Sequence, residues 1–557
     1  VIRSFNADEP FSEFVTEQLA GDELVSPPYE KLDQAGLDRL IATGFLRLAP
    51  DPTGDGPADP DLARNQVIAD TLQIVSSSLL GMTVQCAQCH DHRYDPIPQA
   101  DYYRLRAIFE PAFDWRHWKS PGERLVSLAP KEQRDRAEAI EAEARKIDAE
   151  ASKLHDELIE QFVQRQLELV PKDLRQPVLQ ARRTPKEKRS KEQLELLRQY
   201  PTFQDGIILG EIDKEGQKQV DAVNRRAAEL RSKKSPEAMV HALVEDPGRK
   251  VDTFLFHRGD HQQPREKLTP GTLTVLASSG ATDLPESDPA LRTTGRRLAL
   301  AKSLTDGTHP LTGRVLVNRI WHHLLGAGLV ATLGDFGFLG ERPSHPELLD
   351  WLADELVARR WKLKNLHRVI VQSAVYRQSS VHAAAQRVDP ENKWLGRARL
   401  KRLDGESLRD SMLAVSGNLC TEPFGPPVPV AYSLQGQVVV GNQDRNNIGI
   451  PIAVTATGTD DFRRSIFVKS LRTMPLGVLE TFDAPALTPN CEARPVSTVA
   501  PQSLMMMNDH FVLRRAHDLA RRVRSECPGD TRAQARRVWN LVFTADPSPA
   551  ELERSLV

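Results

Sequence analysis

Along the first 118 residues, apolar positions come in short helical bursts separated by polar, proline-rich stretches. The spacing predicts helices over Ser12–Ala20, Leu37–Ala42 and Arg64–Leu80, with Pro50–Pro60 as loop. In the third of these, Val67, Ile68, Leu72, Ile74, Val75, Leu79 and Leu80 recur at helical spacing and run straight into Gly81. From Lys131 to about Gln166, and again near Lys186–Gln199, Glu, Lys, Arg, Ala and Leu dominate, which predicts a charged helical hairpin or short coiled coil. Charge runs of this kind usually form a solvated face, so the hairpin is assigned no chemistry. Val251–Phe256 is rich in strand formers and is punctuated by Arg258-Gly259-Asp260 and Pro270-Gly271 before Leu273–Leu276, the pattern of a small β element. The Arg-Gly-Asp triplet has an integrin-recognition reading, but a Gly-Asp turn after a strand accounts for it. From about Arg292 onward the pattern is again helical: Leu298–Leu304, Gly313–Leu325, Pro346–Arg359, Leu366–Tyr376, Gly405–Ser416 and His510–Arg524. Ser344, Pro346 and Glu347 form a helix-start signal, and Gln437–Gly441 and Asn447–Ile452 are the remaining strand candidates.

Composition narrows the class. The 557 residues correspond to roughly three to five domains, and 40% hydrophobic with 27% charged residues is the balance of a chain that buries cores. A net charge of −2 gives no overall bias toward nucleic acid or an anionic membrane. No apolar run is long enough to span a bilayer. Val1–Glu13 already carries interspersed charges, as in a processed or truncated product, so the compartment has to be argued from chemistry. Gly-x-Ser-x-Gly, P-loop, dinucleotide and His-Glu-x-x-His motifs do not occur, which removes the usual support for hydrolase, kinase and nicotinamide chemistry.

Five cysteines are too few for a disulfide scaffold, and two of them fall in Cys86-Ala87-Gln88-Cys89-His90. This is the attachment pattern of a c-type haem: two thiols three positions apart reach the two haem vinyl groups, and the adjacent imidazole reaches the iron. At this chain's own Cys and His frequencies, about 0.001 such pentapeptides are expected by chance. Two other readings stay open. One is a zinc site built from Cys86, Cys89 and His90 or His92, which lacks a second Cys-x-x-Cys pair; the other is a disulfide or buried thiol pair. In Asp91-His92-Arg93-Tyr94-Asp95-Pro96, His92 is a candidate proton carrier or metal ligand and Arg93 a candidate haem-propionate partner; alternatively Asp91 and Asp95 simply cap turns. Cys420 and Cys527 are a candidate pair in an exported protein, and Cys491 stands apart.

The stretch GMTVQCAQCHDHRYDPIPQADYYRLRAIFEPAF, residues 81–113, resembles the signature of a family of exported planctomycete cytochrome-type proteins that carry two paired domains of unknown function. Val1–Asp22 is similar to part of the first of those domains. Arg297–Ala358, around LTGRVLVNRIWHHLLGAGLVATLGDFGFLGERPSHPELLDWLA, is similar to the second, and Leu366–Ser380, Ser407–Gly417 and Cys491–Asn508 continue it. The resemblance implies export to the periplasm or the extracellular space, where haem is attached covalently. It also implies the company of a redox partner or a sulfatase-like exported protein, and a carbohydrate as a candidate substrate.

Function then turns on the sixth iron ligand: a second His or Met gives an electron carrier, an open site gives an oxidoreductase. Met82, His92, His117, His322, His323, His345, His367 and Met505–Met507 are the candidates, and His323 and His345 match positions of the family pattern. The expected fold is mainly α. A cytochrome c-like helical haem region (1–118) and a larger helical C-terminal domain (291–557) flank a charged helical hairpin (119–235) and a small β element (236–290). The expected function is an exported haem c protein with a redox role. The competing expectation is a non-redox binding or scaffold protein with a structural metal site at the Cys/His cluster.

Overall fold

A computed structural model describes residues 1–277, 282–446 and 449–556. The chain is mainly helical, at 55% helix and 7% strand, and its strands pair only two by two and antiparallel among the described residues. It divides into two compact units: one of Val1–Leu24, Ala42–Pro121 and Leu243–Val557, and one of Val25–Ile41 and Gly122–Ala242.

In the larger unit, α1 (Phe11–Ala20) is followed by α2 (Pro60–Val75). Asp59 starts α2 by accepting the Leu62 N–H at 2.9 Å, with Pro60 in the first turn where its missing donor costs nothing. α2 is buried on nearly every side, passes into one π-helical turn at Ser76–Leu80, and stops at Gly81 in the left-handed conformation. α3 (Gln99–Phe113) packs on it, and both share a core with β1 (Thr253–Phe256), β2 (Pro264–Leu268) and α4 (Arg296–Thr305). α4 enters this core through Arg297. Its fully buried guanidinium holds both Asp22 oxygens at 2.8 Å and lies 3.2 Å from Glu23 and 3.8 Å from Glu245. Burial raises the Glu23 carboxyl to about 7 even though Arg297 pulls it down.

A second core joins α5 (Thr312–Leu325), α6 (Pro346–Ala358) and α7 (Leu363–Gln372). Beyond them, α8 (Gly405–Val415) precedes the pairs β3 (Val430–Tyr432) with β4 (Val438–Val440) and β5 (Asn442–Arg445) with β6 (Pro451–Thr455); α9 (Ala500–Asn508) and α10 (His510–Glu526) follow.

In the smaller unit a 38-residue helix, Lys131–Glu168, runs antiparallel to Lys214–Ser232. Arg231 bonds Glu141 at 2.9 Å and also Asp148, and Arg226 reaches Glu150 at 3.5 Å. The long helix thus pairs with 214–232 rather than with the charged stretch at 186–199.

Several expected boundaries shift for local reasons. The predicted Leu366–Tyr376 helix breaks at Ser373, whose extended backbone lets its Oγ cap the following turn by accepting the Tyr376 N–H at 3.2 Å. The predicted 186–199 helix starts only at Ser190, where Ser190 and Gln193 form a reciprocal capping box. β1 takes Pro264–Leu268 as its partner, while Thr274–Leu276 is a short 3₁₀ turn. The predicted Asn447–Ile452 strand begins on residues 447 and 448, which lie outside the described residues; the strand described there is β6.

Candidate functional site

The π turn at the end of α2 and the left-handed Gly81 redirect the chain so that Met82–Val84 passes through the core before the cysteine motif emerges. Gln85–Gln88 is a single 3₁₀ turn. Ala87 is fully buried and anchors it, while Cys86, Cys89 and His90 all face outward and both thiols are free. The motif is therefore held by a tight surface turn rather than by an α-helix. Its underside is fixed from α3: the Tyr103 hydroxyl donates to the Gln88 carbonyl at 2.9 Å, and Gln99 Nε2 donates to the same oxygen at 3.0 Å and to the Phe256 carbonyl at 3.1 Å.

Two details set the chemistry of this turn. His90 Nδ1 lies 2.6 Å from the Asp91 carbonyl oxygen. A carbonyl only accepts, so the proton sits on Nδ1 and the Nε2 lone pair is left for a metal, the usual arrangement of a ligating imidazole. The second detail is Gly259, the glycine of the Arg-Gly-Asp triplet. It adopts φ +78° against Cys89, and a Cβ there would stand 2.7 Å from the Cys89 sulfur. The triplet is a turn whose missing side chain makes room for that thiol.

His92 is turned the other way. Its side chain is buried, Nδ1 accepts the Asp95 N–H at 2.9 Å, and Nε2 lies 3.5 Å from Thr83 Oγ1. The residue's own N–H donates to the Ile97 carbonyl at 2.9 Å, so the imidazole braces a folded-back 92–97 turn. Arg93 is exposed and stacks on Tyr94, with its guanidinium carbon 5.4 Å from the ring centre. Asp95 is buried and accepts the Phe338 N–H at 2.6 Å.

The remaining candidates make their contacts elsewhere. His323 ends α5 beside His322; desolvation first, then Arg319, Lys401 and Arg494, hold its pKa below the ordinary imidazole value, with Asp404 opposing. His345 begins α6, its ring 3.0 Å from Ser344 Oγ and 6.0 Å from the Trp394 ring. Met82 is packed in the first core, and His117 pairs with Asp114 at 3.0 Å. Cys420, Cys491 and Cys527 are all free thiols. Among the described residues no group of three or more His, Cys, Asp or Glu side chains is placed to hold a metal ion. A haem needs no such group, because the macrocycle brings four nitrogens of its own and asks the chain for one or two axial ligands. Two outward thiols and one imidazole with a free Nε2 suit that donor set.

One feature the sequence reading missed is a half-open cavity of about 1150 Å³ beside α8, lined among others by Asp404, Glu406, Asp410, Arg464, Arg472 and Arg494. Its charged groups have partners within the fold: Arg494 clasps Glu406 through two bonds of 2.6 and 3.0 Å, Asp410 accepts from the Ser465 N–H and hydroxyl, both at 2.7 Å, and Asp404 accepts the Ser407 N–H at 2.7 Å. The cysteine motif does not line it. The segment that leaves it, Thr488–Arg494, does return toward the motif, because Asn490 donates to Ser77 Oγ at 3.0 Å in the π turn. The serine- and leucine-rich composition of these segments carried no signal for it.

Fold and site together define a mainly helical protein with a surface Cys-x-x-Cys-His turn, held from α3 and followed by a turn that is tied through Asp95 to Phe338 in the C-terminal half. Residues 1–113 match the family model PSCyt2, a protein of unknown function (DUF1549), and residues 296–556 match PSD1, a protein of unknown function (DUF1553). The chain therefore carries the paired planctomycete cytochrome-associated domains of unknown function. No curated protein matches it, and no solved structure does.

Proposed function

We propose that this chain is an exported c-type haem protein with a redox role, either passing electrons or acting as a haem-dependent oxidoreductase. The observation that carries the reading is the Nδ1–H bond from His90 to the Asp91 carbonyl, which leaves Nε2 free beside two exposed, unpaired thiols on one turn. Cys86 and Cys89 anchor the macrocycle, and His90 Nε2 is the proximal iron ligand. The Asp91 carbonyl fixes the imidazole's tautomer and orientation, and Gly259 leaves space for the Cys89 sulfur. The bound haem would supply a one-electron iron couple. His323 and His345 are the distal candidates, Arg93 is the candidate propionate partner, and His92 positions the turn. Periplasmic or extracellular location, a redox or sulfatase-like partner and a carbohydrate substrate belong to this reading through the family resemblance.

The test is the absorption spectrum of protein made in a haem-maturing host, oxidised and reduced, before and after extraction with acidified acetone. Haem bands that stay with the protein, and that vanish in a Cys86→Ala/Cys89→Ala variant, are expected. A colourless wild-type protein from a host that matures other c-type cytochromes would overturn the reading.

A further inference from the structure

The loop Gly334–Gly340 is tied to the chain on both sides of the cysteine motif. The Phe336 N–H donates to the Gly81 carbonyl at 2.7 Å, five residues before Cys86, and the Phe338 N–H donates to Asp95 at 2.6 Å, five residues after His90. Gly337 permits the second tie, since a Cβ there would stand 2.6 Å from both Asp95 carboxylate oxygens. The two aromatic side chains on this loop then behave differently. Phe336 packs against the second core, whereas Phe338 is 80% and Leu339 61% exposed.

Fully burying a Phe or Leu side chain stabilises by about 1.5–3 kcal/mol, so two pinned outward into water forgo that gain. Mobile loop tips expose apolar groups incidentally, but this one is anchored by two bonds, one to the Gly81 backbone and one to the buried Asp95 carboxylate. The group that needs an apolar cover here is the macrocycle that Cys86 and Cys89 would tether, for a porphyrin left in water on a surface turn keeps its faces hydrated. We propose that Phe338 and Leu339 form part of the apolar enclosure of that haem, as cofactor-positioning residues supplied by the C-terminal domain to a motif in the N-terminal one. The inference rests on the haem reading above.

The test compares the full-length haem-loaded chain with the full-length Cys86→Ser/Cys89→Ser chain by radiolytic hydroxyl-radical footprinting and mass spectrometry. Phe338 and Leu339 are expected to oxidise several-fold more slowly in the loaded chain, while Leu434, 80% exposed on the β3–β4 turn, oxidises equally in both. Equal rates at Phe338 and Leu339 overturn the inference. A second measurement uses Phe338→Ser/Leu339→Ser, two surface substitutions that leave both cores intact. This variant is expected to keep its covalent haem and show a lower midpoint potential, because added water favours the ferric state; an unchanged potential counts against the proposal. Haem bands with an unprotected tip remove this inference alone, whereas a wild-type chain without haem removes the parent reading and this one together.

Discussion

The Asp95 carboxylate accepts the Phe338 backbone N–H at 2.6 Å across 243 residues of sequence, joining the PSCyt2 region to the PSD1 region beside the cysteine motif. The same residue's N–H donates to His92, so one acidic side chain and its backbone hold both the turn that follows the motif and the loop that approaches it. The co-occurrence of the two domains in one chain has a physical basis here, since each leaves a polar group that the other satisfies.

Asp95→Ala is accordingly expected to cost about 1–3 kcal/mol, the range of a hydrogen bond to a charged group, because it removes the buried carboxylate that accepts the Phe338 N–H. Asp95→Asn keeps a side-chain oxygen and is expected to cost less. Urea-unfolding midpoints of the three proteins, followed by near-UV circular dichroism, measure both; an alanine variant within 0.3 kcal/mol of wild type, taken as about the additivity error of such measurements, would show that the tie carries no weight.

Thiol accessibility offers a direct check on the motif's geometry in haem-free protein. Cys86 and Cys89 are exposed, while Cys420, Cys491 and Cys527 are half-buried. Titration with a chromogenic disulfide reagent is expected to show two fast thiols followed by a slower group. Cys86→Ser/Cys89→Ser should lose the fast phase entirely, and a fast phase that survives it would place these sulfurs inside the fold.

Gly259→Ala probes the space around one of those sulfurs. The substitution puts a methyl group at φ +78° and 2.7 Å from the Cys89 sulfur, so either the turn or the thiol has to shift. Strain of this backbone kind costs about 1–2 kcal/mol. Reduced covalent haem per chain, with Cys86 alkylation unchanged in the haem-free form, is the expected signature; full haem loading would show that the close approach is not needed.

Local signals in the sequence carried much of this picture. Helical periodicity located α1, α5, α6 and α8 to within a few residues, because each buries a stripe that the period reveals, while α2, buried on nearly every side, was found from its apolar run with boundaries four to five residues off. The Cys-x-x-Cys-His spacing identified the motif. What the pattern did not reveal depends on distant partners. β2, Pro-Arg-Glu-Lys-Leu, is polar because it lies exposed along β1, so alternation never flagged it. The inward turn of His92 is set by Asp95 and Thr83, and its letter reads the same whether the ring points at a metal or into the core. The role of Gly259 depends on Cys89, 170 positions earlier, and no local rule connects a glycine to a sulfur at that separation.

The buried cluster around Arg297 makes a prediction about pH. Glu23 carries a carboxyl raised from the ordinary 4.5 to about 7, chiefly by burial, and Glu245 is raised by the same cause. An acid whose pKa is higher in the folded chain binds its proton more tightly there, so between about pH 4.5 and 7 the folded state holds more protons than the unfolded one. Stability therefore falls as pH rises through that window, and the loss is complete above it. A rise from 4.5 to about 7 corresponds to roughly 3 kcal/mol from Glu23. Glu23→Gln keeps an oxygen near the Leu298 N–H, which Glu23 accepts at 2.9 Å, and removes the titration. Urea midpoints taken from pH 5 to pH 8 should show wild type losing stability relative to the glutamine variant as pH increases. Parallel profiles would mean that Arg297 keeps Glu23 ionised throughout, and Arg297→Met would then be the more damaging change at every pH, because it strands three buried carboxylates.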